Sequence, residues 1–103
     1  MIVKFFATYR KIVGQGQIDI PAPRDVLELL HEMTDRYPAF KDVLLNKDGT
    51  DKGEDAIILV CGRHIDHLDG VHTKLSESDY VALTPLVAGG SEPIWFQRRR
   101  SRR

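Results

Sequence analysis

Two adjacent glycines, Gly89-Gly90, carry the clearest chemical potential in this chain of 103 residues. They follow a strand-like run, Asp79-Tyr80-Val81-Ala82-Leu83-Thr84-Pro85-Leu86-Val87-Ala88, and precede an abrupt change in composition. A backbone arm without Cβ atoms enters channels too narrow for any side chain, and it accepts conformations that other residues refuse. Cut after Gly90, such an arm ends in a mobile glycyl carboxylate that another enzyme can activate. Gly-Gly is also an ordinary loop signal, so a plain hinge is the competing reading.

Other residue sets point more weakly to chemistry. His64 and His67 are three apart, with Asp66 between them and His72 nearby. Metal sites use such residues. On an extended segment, however, that spacing puts the two rings on opposite faces, and Gly62 and Gly70 argue against a helix. These are read as surface histidines, with no metal expected. Cys61 beside them raises a thiol nucleophile, but a cysteine at a strand end in a turn is more simply structural. Asp48, Asp51, Glu54 and Asp55 lack the spacing of an EF-hand loop and read as a solvated loop. No nucleophile–base set for a self-contained enzyme emerges.

Length and composition bound the architecture that must position these groups. The chain makes one domain with one modest core. Hydrophobic residues at 42% and charged residues at 29% describe an ordinary soluble globular protein. No apolar stretch is long enough to span a bilayer, and Met1-Ile2-Val3-Lys4-Phe5-Phe6 has no signal-peptide pattern. Cys61 is the only cysteine, so the expected location is a reducing cytoplasm. The net charge of zero hides an asymmetry. Residues 1–90 carry ten Lys/Arg against fourteen Asp/Glu, whereas residues 91–103 carry five Arg and one Glu. An acidic body suits a basic partner and disfavours nucleic acid.

Hydrophobic periodicity supplies the elements. Val3, Phe5 and Ala7 alternate with polar or outward positions and predict a first strand. After a turn at Gly14-Gln15-Gly16, Gln17-Ile18-Asp19-Ile20 predicts a second strand and a hairpin. Val26, Leu29, Leu30, Met33 and Tyr37 share one face of a helix that opens near Asp25 and stops at Pro38. Phe40, Val43, Leu44 and Leu45 suggest a short second helical piece. Residues 46–55 form a polar loop. Ala56–Val60 is a strand, His64-Ile65 a short one, and Tyr80–Val87 the last. Two strands, a helix and further strands predict an α+β fold with the helix on one sheet face.

That order, with a strand running straight into Gly-Gly, resembles the MoaD/ThiS family of β-grasp sulfur carriers, relatives of ubiquitin. The resemblance rests on several stretches over residues 1–90. Val3-Lys4-Phe5-Phe6-Ala7-Thr8-Tyr9-Arg10-Lys11-Ile12-Val13-Gly14 is similar to the family's first strand and turn. Leu29-Leu30 through Arg36-Tyr37-Pro38-Ala39-Phe40 resembles its helix and helix exit. Val60-Cys61-Gly62-Arg63-His64-Ile65 and Leu75 through Gly90 resemble its later strands and arm. Cys61 stands where the family often has Asn, and Ser78 where it often has Gly. The size fits the molybdopterin-synthase small-subunit branch better than the shorter thiamin branch.

The resemblance implies a ubiquitin-like mixed sheet of four to five strands with one main helix. It divides the chain into a carrier domain, 1–90, and a basic extension, 91–103, expected to be disordered. It implies a carrier acted on by others, with no bound cofactor. An adenylyltransferase of the ubiquitin-activating type uses ATP to activate Gly90, with Gly89 giving clearance. A persulfide then leaves a thiocarboxylate, whose sulfur goes to a molybdopterin-synthase large subunit or a sulfhydrylase. Because residues follow Gly90, the resemblance also implies a metallopeptidase that removes them. Phe6, Arg10, Thr84 and Leu86 are the implied partner-binding residues. Strand parity places Phe6, Ala82 and Thr84 toward solvent, with burial of Phe6 under the loop 46–55 as the alternative. A second class of function remains open: an interaction module whose Trp95-Phe96 and Arg98-Arg99-Arg100 bind an anionic partner. Neither membrane nor nucleic-acid binding is expected of the acidic body.

Overall fold

The computed structural model describes residues 1–86, so the expected domain boundary at 90 and the extension 91–103 lie outside the described residues. Strand β1 (Ile2–Phe5) leads through helix α1 (Thr8–Val13) to β2 (Gln17–Asp19), then to the main helix α2 (Val26–Arg36). A 3-10 turn, Pro38–Phe40, and the polar loop precede β3 (Ala56–Val60) and β4 (Arg63–His64). Two further 3-10 turns, Ile65–His67 and Gly70–His72, lead to β5 (Tyr80–Pro85). The strands form one sheet in the order β2-β1-β5-β3-β4. β5 runs parallel to β1 and antiparallel to β3, so the last strand occupies the centre of the sheet.

Period-two alternation sorts β1, β3 and β5 into an inner and an outer set. Val3, Phe5, Ala56, Ile58, Val60, Val81 and Leu83 face α2 and are buried. α2 offers Val26, Leu29, Leu30 and Met33, each wholly buried, to the same core. Burial of such side chains contributes about 1.5–3 kcal/mol each. Asp25 caps the helix from outside its first turn: its carboxylate accepts the Glu28 N–H at 2.9 Å. The Glu28 carboxylate in turn accepts the Arg24 N–H at 3.0 Å. Phe5, Tyr9, Tyr37 and Phe40 form an aromatic cluster at one end, with Tyr9 edge-on to Phe40 at 5.3 Å between centroids.

β1 and β2 pair antiparallel as the expected hairpin does, but a short helix precedes the turn that joins them. Ala7 adopts φ 54°, ψ −132°, which takes the chain out of the sheet and starts α1. Gly14, at φ 87°, ends α1, its N–H bonding to the Arg10 carbonyl. Tyr9, Ile12 and Val13 already carry the helical spacing; six residues were too few to outweigh the strand pattern before them. The expected helical piece at 40–45 is only the 3-10 turn and a run of turns, because the chain must flatten there to pair Leu45 with Lys52. The loop is fixed by a close backbone approach at Gly53. A Cβ there would lie 2.1 Å from the Val43 carbonyl oxygen, so no larger residue fits without movement.

Candidate functional site

The exit end of β5 is where the chain leaves the sheet toward Gly89-Gly90, and three segments hold it. β1 pairs with it through Phe5 and Leu83, and the Phe6 N–H extends that ladder to the Leu83 carbonyl at 3.1 Å. β3 pairs Ala56 with Pro85. The Leu86 N–H then bonds to the Asp55 carbonyl at 2.6 Å, the last described backbone bond before the arm. Gly53 sets the position of Asp55, since its carbonyl accepts the Ala56 N–H at 3.2 Å. Gly89 and Gly90 themselves lie outside the described residues.

The outer face of the sheet is apolar and open from this exit back to the start of β5. Phe6 is 38% exposed, Tyr80 41% and Leu86 56%, while Ile57 and Leu59 are half-buried between them. Phe6 is therefore not covered by the loop 46–55. Beside it, Lys4, Arg10, Gln15, Gly16 and Gln17 line an open notch of about 510 Å³. The Arg10 guanidinium lies along Gly16, where an added Cβ would meet it at 3.6 Å. The Lys4 ammonium sits 5.1 Å from the centre of the Tyr80 ring, a cation–π contact. An apolar anchor beside the Arg10 guanidinium suits a protein partner with an apolar pocket and an acidic group at its rim.

Thr84 does not join Phe6, Arg10 and Leu86 on the surface. It is 3% exposed, and Ala82 is 8% exposed. Parity places both on the outer face as expected, but exposure does not follow. Lys4 and Leu59 flank Ala82, and Ile57 flanks Thr84. In a central strand, longer side chains on both neighbours overhang the short ones. Thr84 forms the floor of a trough rather than a contact of its own.

Tyr9 was missed by sequence reasoning. Its hydroxyl is buried with no hydrogen-bond partner. Burial, aided by the nearby negative charge of Asp55, pushes its pKa up to about 12. An orphaned donor of this kind leaves no trace in hydrophobic patterning, where Tyr counts as apolar.

The histidines differ from expectation in one respect. The segment after His64 is a 3-10 turn, so His64 and His67 come together, ring centroids 6.4 Å apart and nearly perpendicular. Residues three apart eclipse in such a turn. His64 Nδ1 accepts the Asp66 N–H at 3.0 Å, which removes that nitrogen from other uses. Among the described residues no group of three or more His, Cys, Asp or Glu is arranged to hold a metal ion. Cys61 is exposed at the far end of the sheet from Leu86, as the pairings Val60–Val81 and Ala56–Pro85 require. Cys61 at φ 50° and Gly62 at φ 83° make the two-residue turn between β3 and β4. Its thiol donates to Asp79 Oδ1 at 3.4 Å. The Ser76 N–H chiefly holds the Asp79 carboxyl below its usual range; a burial effect opposes it, and the Cys61 thiol helps. Among the described residues no helix is long and apolar enough to cross a membrane.

A sequence profile of the ThiS family matches residues 3–90. Small archaeal modifier protein 3 of Haloferax volcanii is 37% identical over 90 residues, spanning 85% of this chain and 96% of that protein. The solution structure of small archaeal modifier protein 1 from Methanosarcina acetivorans superposes with a TM-score of 0.75 at 33% identity, covering 86% of this chain and 94% of its own. A Pyrococcus furiosus protein assigned as molybdopterin converting factor subunit 1 superposes with a TM-score of 0.63 at 27% identity, covering 84% and 95%.

Proposed function

This chain belongs to the ThiS family, and on that premise we propose that it is a sulfur carrier whose Gly90 carboxyl is activated and loaded with sulfur. The fold is the ubiquitin-like β-grasp, and members of this family are small carrier or modifier proteins rather than enzymes. The observation that carries the proposal is the fit of the family pattern through residue 90, the second glycine, on a strand fixed at the centre of the sheet.

The chemistry is that of carboxyl activation. Hydrolysis of the Gly90–Ser91 bond by a metallopeptidase releases the carboxylate. A ubiquitin-activating-type adenylyltransferase supplies ATP; a Gly90 oxygen attacks the α-phosphorus and pyrophosphate leaves. The resulting acyl-adenylate has AMP as leaving group where a carboxylate has only oxide. A persulfide sulfur attacks the acyl carbon and expels AMP. A second thiol then cleaves the sulfur–sulfur bond, leaving the thiocarboxylate and a protein disulfide. Gly89 and Gly90 let the arm enter each partner site without a side-chain clash. Phe6, Arg10 and Leu86 make the docking contacts beside the arm. A cytoplasmic location fits the need for ATP and reduced thiols.

The sulfur acceptor divides the proposal in two. The Pyrococcus furiosus relative favours delivery to a molybdopterin-synthase large subunit; a sulfhydrylase is the other acceptor. The archaeal relatives, named as modifiers, favour a further use of the same acyl-adenylate. Attack by a lysine amine in place of sulfur would give an isopeptide-linked conjugate.

Intact mass of untagged protein from its native cell tests the reading. A species ending at Gly90, or that species with one oxygen exchanged for sulfur, is expected. Retention of residues 91–103 in cells where the pathway is active would overturn it. Conjugates would appear instead as Gly90 linked to lysine in tryptic digests.

A further inference from the structure

We propose that the loop 46–55 is a brace for the arm: through Asn46 and Gly53 it positions the Asp55 carbonyl, and that carbonyl fixes where the chain leaves the sheet and hence how far Gly90 reaches. The backbone pattern makes this single contact decisive. The Cys61 N–H bonds to the Tyr80 carbonyl at one end of the β3–β5 ladder, and the Leu86 N–H bonds to the Asp55 carbonyl at the other. With Leu59–Ala82 and Ile57–Thr84 paired between them, residues 80, 82, 84 and 86 turn their backbone groups toward β3. Pro85 faces β1 instead, where it has no N–H to donate. Pairing with β1 stops at Leu83. Beyond Thr84, the Leu86 N–H is the only described backbone donor that ties the exit to the sheet.

The loop is built to hold that acceptor still. The Asn46 N–H donates to the Asp51 carbonyl at 2.9 Å, while Asn46 Oδ1 accepts the Thr50 N–H at 3.0 Å and the Asp51 N–H at 3.3 Å. Leu45 pairs with Lys52. The Gly53 N–H bonds to the Leu44 carbonyl at 2.8 Å, in the close approach to Val43 that excludes a side chain. His31 Nε2, on α2, lies 2.9 Å from the Gly49 carbonyl and ties the loop to the main helix. A solvated loop of this length closes the chain without such bonds. Here they converge on the residues just before β3, where the acceptor for Leu86 stands.

Release of the brace lengthens the arm in one step. From Leu86 to Gly90 an extended chain spans about 13–14 Å, and from Thr84, the next residue with a donor toward β3, about 20–22 Å. Pro85 allows no stop between the two. A partner that holds Phe6 and Leu86 therefore meets Gly90 within a set radius, and its reacting atoms must lie inside it. That use of the brace rests on the function proposed above; the brace itself does not.

Native-state hydrogen exchange on the full chain tests the brace. The Leu86 amide should be protected yet open separately from Thr84: its exchange should not change in low denaturant, whereas that of Thr84 should quicken. Asn46→Ala removes the side-chain acceptor and should speed Leu86 exchange about tenfold relative to Thr84. Gly53→Ala decides instead if circular dichroism shows that Asn46→Ala fails to fold. An unprotected Leu86 amide overturns the proposal. So does exchange of Leu86 and Thr84 in one common transition, or a Leu86 rate that neither variant changes. The reach is read from the intact mass of chains made in the native cell. Deleting Ala88 shortens the arm by one residue and should lower the yield of thiocarboxylate about tenfold, since misplacing a reacting group is that costly. Adding Asn46→Ala to the deletion should restore the yield in part, because the freed exit returns two residues. A yield untouched by the deletion, or a double variant no better than the deletion alone, overturns the positioning role. If the wild-type chain carries no thiocarboxylate, the proposed function fails, while the exchange result still decides the brace.

Discussion

The two faces of the sheet use the same three central strands to opposite ends. On the inner face, Val3, Phe5, Ile58, Val81 and Leu83 are sealed beneath α2. On the outer face, one residue along each strand, Phe6, Tyr80 and Leu86 keep between 38% and 56% of their surface in contact with solvent. Hydrophobic character is common to both; what differs is whether this chain's described residues supply a cover. The inner set determines whether the protein folds, and the outer set determines what it meets. The first class of residue should therefore fail in a melting experiment, the second in a binding experiment.

The comparison breaks most visibly at Phe40, which is wholly buried against Phe5, Tyr9 and Tyr37. Phe40→Ala should cost about 3–5 kcal/mol of stability, measured by denaturant unfolding. Gly53→Ala comes next. Its new methyl would press on the Val43 carbonyl, and overpacking of this kind costs about 1–3 kcal/mol. It should also speed hydrogen exchange at the Leu86 amide, because Asp55 moves with it. Phe6→Ala sharpens the comparison from the other face. Its melting point should stay near wild type, with a change of about 0.5 kcal/mol. Affinity for the adenylyltransferase proposed as its partner should fall by about 2 kcal/mol. A large stability loss with intact binding would reverse the roles of the faces.

The smallest effect is at Tyr9, an inner residue with an unsatisfied hydroxyl. Its folded pKa, about 12, lies above the ordinary value of 10.0. The folded state therefore holds the phenolic proton more tightly than the unfolded chain does. The resulting stabilisation is fully present below pH 10 and is lost as pH rises through about 12. Tyr9→Phe removes an unpaired buried donor. It should leave neutral-pH stability unchanged or raise it by about 1 kcal/mol, and it should flatten the alkaline limb of the stability profile.

Much of this architecture is legible in the sequence because period and punctuation agree. β1, β3, β5 and α2 follow from alternation, from the stripe Val26, Leu29, Leu30, Met33, and from Asp25 and Pro38 at its ends. The remainder depends on neighbours that no single stretch contains. Thr84 and Ala82 have the parity of surface residues, but the residues beside them on β1 and β3 cover them. α1 begins at Ala7 in a positive-φ conformation that glycine would have advertised and alanine does not. The pairing of His64 with His67 follows from a 3-10 turn whose three residues carry no periodic signal. The candidate site divides in the same way: Phe6 is exposed as its parity predicts, whereas the orphaned Tyr9 hydroxyl is legible only in three dimensions.

The parallel pairing of β1 with β5 joins residues 2–5 to residues 80–83. Nearly the whole described chain must be closed into a loop before the central ladder can form, and such non-local closure is entropically slow. During synthesis, a nascent chain lacking β5 would expose the facing edges of β1 and β3 with nothing between them. The full sheet cannot close before the final strand emerges from the ribosome. The same late segment completes the sheet and carries the chain toward its glycines, so display of the arm is coupled to completion of folding.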